Sequence, residues 1–245
     1  VVAAVRAARQ MGKTVKVVGS GHSFTGIARP EEHVMSLSAM TGVIEVDREA
    51  STVRVNAGTT IADLNLELDR LGLAMPNLGD VTYQSILGAL STSTHGTGIR
   101  FGGLATQVVA FTLVTSDGEV LNCSEKENAE LWRFGRVGLG ALGIVVDVTL
   151  RVVDKFNLLA VEYAEPVADV IANWEANTWN NDHFEFYWVP HTKWALTKRN
   201  NVTDRPTTER KPLATFWNKM VMENVAFGAL CRVGRAVPSA IPKLA

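Results

Sequence analysis

Hydrophobic positions recur along this chain in two rhythms. The stretches "VVAAVRAARQMG" (1–12) and "TTIADLNLELDRLG" (59–72) carry apolar side chains at helical spacing, so each is predicted to form an amphipathic helix. In the second, Ile61, Leu64, Leu68 and Leu71 make the stripe, Thr59 or Thr60 supplies the N-cap, and Gly72 stands at C′. The first has Gly12 at C′ but no capping residue before its apolar start, so it is expected to begin upstream. Shorter runs read as strands: a short buried one in "TVKVVG", then "HVMSL", "VIEVD" and "TVRVNAG". "VVAFTLVTSDGEVLNCS" reads as a hairpin around a two-residue Asp117-Gly118 turn. "ENAELWRFG" follows as a helix, and the glycine-rich "GLGALGIVVDVTLRVV" runs into a strand.

Composition shifts near Asp154. Five of the six tryptophans (174, 179, 188, 194 and 217) lie beyond it, together with the strand-like "HFEFYWVPHTKWALTKRN". Two domains are expected, 1–153 and an incomplete 154–245. Residues 213–233 are apolar-rich but interrupted by Asn218, Lys219, Glu223, Asn224 and Arg232, which predicts an amphipathic helix and not a membrane span.

Charge and cysteine usage narrow the function classes. With 24 Lys and Arg against 25 Asp and Glu, no bulk field draws the chain to nucleic acid or an anionic membrane, and small-molecule partners are expected. Cys123 and Cys231 stand far apart and outside any Cys-x-x-Cys spacing, which points to neither a disulfide framework nor zinc and favours a cytoplasmic location. His33, His183 and His191 show no ligand spacing, so no metal site is expected.

The chemistry concentrates in three glycine-rich loops, at 19–26, 79–103 and 138–144. Backbone N–H groups that bend through positive φ can surround an anion closely, and glycine permits both the bend and the approach. Ser20, Ser23, Ser91, Thr92, Ser93, Thr94 and Thr97 add hydroxyl donors. The first loop is not a P-loop, because Ile27 and Ala28 follow Gly26 where Lys and Ser or Thr are needed. Nor is it a dinucleotide fingerprint: Phe24 takes the third glycine position, and Gly26 and Pro30 interrupt any long following helix.

In order and spacing, "VGSGHSF", "NLGDVTYQSILGALSTSTHGTG" and "GLGALGIV" resemble the FAD-binding domain of the vanillyl-alcohol oxidase superfamily. Within it they resemble most the aldonolactone oxidoreductases, the group of gulonolactone oxidase and its bacterial dehydrogenase relatives, with alditol oxidase close by. The resemblance implies an α+β fold: a two-subdomain FAD-binding domain followed by a partial α+β substrate (cap) domain, which "DHFEFYWVPHT" resembles at its opening strand. It implies a flavin enzyme that oxidises a gulono- or galactono-1,4-lactone by hydride transfer to flavin N5, with oxygen or another acceptor taking the electrons. An alditol oxidase and, from another class, a noncatalytic nucleotide-binding module are the alternatives.

Carried over by position, the resemblance makes Gly19, Ser20, Gly21, His22, Ser23 and Phe24 the first cofactor loop, with His22 bonded to the flavin's 8α-methyl carbon. Gly79, Asp80, Gln84, Ser85, Gly88, Ser91, Thr94, His95, Gly96 and Gly98 become the second set of contacts, and Gly138, Gly143 and Ile144 the third. Ser93 departs from the glycine common in the family's "STGTHG". The family's substrate-binding groups cluster around a late "HWGK"-like motif that does not occur here, so no catalytic residue is assigned.

Overall fold

The computed structural model describes residues 1–208, 225 and 227–241. The chain divides into two compact units, Val1–Lys155 and Phe156–Ala245.

The first unit is built on two cores. Strands β1 (Val15–Val18) and β2 (His33–Ser36) pair in parallel, and helix α1 (Val2–Gln10) turns Val5 and Ala8 inward beside them. β1 is half-buried along its whole length, so it is less enclosed than its apolar sequence suggests. Val5 joins Leu37, Ala57, Val114 and Ile144 in the smaller core. The larger core lies under a five-stranded antiparallel sheet in the order β3 (Val43–Asp47), β4 (Thr52–Asn56), β8 (Ile144–Arg151), β6 (Val108–Val114), β7 (Val120–Ser124). Helix α2 (Ile61–Arg70) fills it with Ile61, Leu64 and Leu68, all at most 1% exposed, and α3 (Ile86–Ser91) adds Ile86, Ala89 and Leu90. Thr60 is the cap of α2: its hydroxyl accepts from the Asp63 N–H at 3.1 Å. A short pair, β5 (Leu73–Ala74) with β9 (Val153–Asp154), ties the end of α2 to the last strand of the unit. On the sheet, Arg54 grips Asp147 through two hydrogen bonds of 2.8 and 2.9 Å, which hold its guanidinium above the usual pKa against the cost of burial.

The hairpin of β6 and β7 is one residue longer at its tip than the sequence predicts. The Gly118 N–H closes a turn onto the Thr115 carbonyl at 3.0 Å, and Thr115 pairs with Glu119. Only Gly118 takes positive φ (+81°), where a two-residue type I′ turn would need it at Asp117 as well. A three-residue loop closed by a left-handed glycine requires one such residue. Helix α4 (Ala129–Gly135) then leads into the third glycine loop.

The second unit carries an antiparallel sheet in the order β10 (Asn157–Pro166), β12 (Trp194–Thr203), β11 (His183–Trp188). The strand-like run of the sequence is therefore two strands joined through 189–193, where His191 turns at φ +76°. Helices α5 (Val167–Ala172) and α6 (Trp174–Trp179) bring Val170 and Trp174 onto this sheet: Val170 is buried with Phe184 and Ala195, and Trp174 stacks edge-on against Phe184 and Phe186 at 5.8 Å. Phe184 and Phe186 are thus core residues, whereas Trp188 is half exposed. Of the helix predicted over 213–233, residues 213–224 lie outside the described ones, and helix α7 spans Phe227–Ala236.

Arg199 organises the polar part of this unit. It donates to Glu165 Oε2 at 2.8 Å, to Thr197 Oγ1 at 2.8 Å and to Asn177 Oδ1 at 2.9 Å, and it lies over the Tyr163 ring. Burial opposes the charge on Glu165, but the Arg199 guanidinium and the Thr197 hydroxyl outweigh it and hold the carboxyl below its ordinary 4.5. The folded value is below the unfolded one, so this contribution is complete above about pH 4.5 and is lost as the pH falls toward the folded value. Glu165→Gln is expected to cost the second unit about 2 kcal/mol at pH 7, and less at pH 3. Urea unfolding followed by tryptophan fluorescence checks this; an equal loss at both pH values would refute the assignment.

Candidate cofactor site

A cavity of about 650 Å³ opens in the first unit where the two cores meet. Strand β1 delivers its first wall. At the start of that strand, Glu32 accepts from Lys13 Nζ at 2.7 Å and from the Thr14 N–H at 2.6 Å, contacts that lower its carboxyl to a pKa of about 2. At the other end the chain enters the loop Gly19, Ser20, Gly21, His22, Ser23, all of which line the cavity. Gly19 presses against the first turn of α3: a Cβ there would lie 2.6 Å from Ser85 Oγ. Ser20 Oγ accepts from the Ser85 N–H at 3.0 Å, and Ser85 Oγ caps α3 by accepting from the Gly88 N–H. First loop and helix start are therefore one rigid wall.

The segment before α3 is fixed from its other side. Ile61 N–H donates to the Gln84 carbonyl at 2.9 Å and Ile86 N–H to the Thr59 carbonyl at 2.7 Å, flanking a bridge between Thr60 and Ser85. The third loop closes the opposite wall with Gly138, Leu139, Gly140, Leu142, Gly143 and Ile144. Gly143 has φ +141° and comes so close to Val114 that a Cβ would meet its carbonyl oxygen at 2.5 Å. Lys16 Nζ reaches across from β1 to the Leu139 carbonyl at 3.4 Å.

The charged side chains on the lining are Lys16, Arg29 and Asp63, a balance of two cations to one carboxylate beside loops rich in N–H and hydroxyl donors. Such a lining suits an anion. Two buried side-chain atoms on the cavity have no hydrogen-bond partner, His22 Nδ1 and Gln84 Oε1. Buried polar atoms in a folded chain are ordinarily paired, so among the described residues these two leave unmet hydrogen-bonding capacity on residues of the cavity wall.

Of the nineteen positions carried over from the resemblance, the structure brings Gly19, Ser20, Gly21, His22, Ser23, Gln84, Ser85, Gly88, Ser91, Gly138, Gly143 and Ile144 to this cavity. Phe24 does not line it: the ring is 90% exposed, at φ +50°, and meets the His22 ring edge-on at 6.0 Å. Gly79, Asp80, Thr94, His95, Gly96 and Gly98 also lie off the lining. Several of them form a second layer behind Gln84, where Gln84 Nε2 donates to Thr94 Oγ1 and the Gly79 Cα faces the His95 carbonyl. Ser93 keeps this layer in the path that glycine would favour, at φ +60°. Lys16, Gly58 and Asp63 line the cavity without having stood out in the sequence, and Thr60 does so having stood out only as a helix cap. Of the first three, Gly58 carried the usable signal, a glycine two residues after a strand.

The cavity suits an anionic ligand, and comparison with known proteins gives the class. The FAD binding domain family matches residues 1–124, and the D-arabinono-1,4-lactone oxidase family matches residues 148–245. The chain belongs to the FAD-binding domain family, and its resemblance to the aldonolactone oxidoreductases of the vanillyl-alcohol oxidase superfamily holds. It is 42% identical over 186 residues to L-gulonolactone oxidase of Mus musculus, covering 76% of this chain and 42% of the relative. It is 38% identical over 240 residues to L-gulono-1,4-lactone dehydrogenase of Mycobacterium tuberculosis, covering 97% and 54%. D-arabinono-1,4-lactone oxidase of Yarrowia lipolytica is 33% identical over 215 residues, covering 86% and 41%. The chain thus spans about half the length of the curated relatives it matches. Among solved structures, cholesterol oxidase from Brevibacterium sterolicum shares the fold with a TM-score of 0.83 at 18% identity, covering 99% of this chain and 51% of that one.

Proposed function

We propose that this chain is the FAD-binding part, with some of the substrate domain, of an enzyme that oxidises a sugar-derived 1,4-lactone of the gulono or galactono type. The observation that carries this is the match to the FAD-binding family over residues 1–124, whose first and second glycine loops meet at one cavity. The lining fits the cofactor: His22 and Gln84 offer unpaired buried atoms, and a Cβ at Gly19 would fill the close approach between the first loop and α3. When bound, FAD supplies a two-electron acceptor for hydride from a carbinol carbon. Ser20 and Ser85 would fix the backbone that meets its diphosphate, Lys16 and Arg29 would offset its charge, and Gly138, Gly143 and Ile144 would hold its adenine half.

His22 is proposed to carry the flavin covalently through its 8α-methyl carbon. In that bond one C–H of the carbon and one N–H of the imidazole would be replaced, the two protons going to solvent and the electron pair to the acceptor that serves turnover, dioxygen or a quinone. A methyl group at Gly79 would stand 3.0 Å from the His95 carbonyl and 3.4 Å from Thr94 Cγ2, so glycine is a packing requirement at this point. The free Cys123 and Cys231 support a cytoplasmic location. Among the described residues no helix is long and apolar enough to cross a membrane.

The test uses the intact gene product. Its absorption spectrum should show the two near-ultraviolet and visible flavin bands, and L-gulono-1,4-lactone added without air should bleach the visible one. Bleaching by a linear polyol but not by the lactone would make it an alditol oxidase. A protein without flavin bands that binds ADP would be a nucleotide-binding module, and the proposal would fall.

A further inference from the structure

Around α3 the second glycine loop forms part of the cavity wall, with Gln84 and Ser85 before the helix and Ser91 and Thr92 at its end. Away from the cavity its two limbs meet at Asn77, which is buried. Asn77 Nδ2 donates to the Thr97 carbonyl at 3.1 Å, and its Oδ1 accepts from the Leu78 N–H at 3.0 Å. A carbonyl can only accept and a backbone N–H can only donate, so the amide has a single orientation. Gln107, also buried, adds a tie: its Nε2 donates to the Asn77 carbonyl at 2.9 Å. It ends the turn Leu104–Gln107, whose Leu104 N–H donates to the Thr94 carbonyl on the other limb at 3.0 Å. One buried side chain and one short turn therefore hold both limbs.

The glycines of these limbs fit that crossing. A Cβ at Gly96 would stand 2.1 Å from the Leu78 carbonyl oxygen and 2.7 Å from Asn77 Oδ1, and Gly79 faces the His95 carbonyl in the same way. Both lie off the lining, so what the structure demands of them is close approach between the limbs. From the crossing, one limb runs directly to the wall, where the Thr82 and Gln84 carbonyls accept from the Ala62 and Ile61 N–H groups, each at 2.9 Å. The other is bound to α3 by the Thr94 N–H, which donates to the Ala89 carbonyl at 3.0 Å. With both limbs fastened at each end, a shift at Asn77 is passed to the wall. Resting on the FAD reading above, we infer that Asn77 is a positioning residue of the cofactor site: it stands off the lining, and by closing the loop it holds Gln84, Ser85 and Ser91 at the spacing that FAD requires.

The experiment uses the intact gene product with His22→Ala, so that FAD binds reversibly and is titrated by quenching of its fluorescence. Asn77→Leu keeps the volume and loses both side-chain hydrogen bonds, and it should weaken FAD about 10-fold at a temperature where the protein is still folded. Arg54→Met breaks the pair with Asp147, off the cavity lining; it controls for lost stability and should bind FAD within about twofold of its parent. Asn77→Asp supplies a readout that lost packing would not move. A carboxyl so buried titrates above its ordinary range, and only its neutral form can donate to the Thr97 carbonyl. Relative to the parent at the same pH, its FAD affinity should match at about pH 5 and be about 10-fold lower at about pH 8. In the cofactor-free protein, Asn77→Leu should speed amide hydrogen exchange in 78–84 and 94–97 together. FAD bound by Asn77→Leu within about twofold of its parent would overturn the inference. So would an equal loss in Arg54→Met, a pH-independent Asn77→Asp, or unchanged exchange. A His22→Ala parent that binds ADP but not FAD would instead overturn the FAD reading and this inference with it.

Discussion

Acid-precipitated wild-type protein should keep its yellow colour in the pellet, and His22→Ala should release all of it to the supernatant. The effect is all-or-none because a single bond is at stake. The imidazole stands directly after Gly21, which turns at φ +77°, and between the rigid contacts of Ser20 with α3 on one side and the Phe24 ring on the other. Its Nδ1 is buried and has no hydrogen-bond partner among the described residues. A neutral imidazole nitrogen held without a competing donor or acceptor is available as a nucleophile, and holding it at the reacting carbon replaces a bimolecular encounter by a positioned one. His22→Ala should still bind FAD, since the loop's backbone and hydroxyl contacts do not depend on the ring. Colour lost to the supernatant from wild type would exclude the bond.

Gly58→Ala should be the most damaging glycine-to-alanine change among the described residues, costing upwards of about 3 kcal/mol and with it the cofactor site. A Cβ at this position would stand 1.9 Å from the Leu37 carbonyl oxygen, 2.7 Å from its carbon and 2.9 Å from the Met40 carbonyl oxygen. All three are backbone atoms, so no rotamer change relieves the clash. The two strands of chain cannot simply part, because the Gly58 N–H donates to the Met40 carbonyl at 3.0 Å and Leu37 is buried in the smaller core. Gly58 also lines the cavity, so any separation distorts the wall that Thr60 and Asp63 continue. Thermal unfolding and FAD titration should fail together in Gly58→Ala. A variant that melts within a few degrees of wild type would show that the approach of Gly58 to Leu37 is looser than described.

The local elements were written into the sequence. The Ile61, Leu64, Leu68 stripe with a threonine cap and Gly72 after it leaves one helix face to bury and one place to start and stop, and α2 follows that pattern with Thr60 as cap. The glycine loops were equally visible, because a backbone that must take positive φ or approach another chain segment selects its residue type on the spot. Family resemblance added the ligand class, which spacing alone could not supply. What the sequence did not contain was which loop residues face the ligand. Gln84 and Ser85 line the cavity while Thr94 and Gly79 stand behind them, a sorting made by the Thr60–Ser85 bridge and by the contact of Gly19 with α3. The same holds for Lys16 on β1 and for Gly58, whose neighbours lie 123 and about 20 residues away along the chain. Even the hairpin tip was set by the pairing of Thr115 with Glu119 and not by its Asp-Gly pair. Periodicity and capping are settled within a few turns of chain, whereas the wall of a cavity is decided by pairings between distant segments, each of which fixes the side its neighbours present.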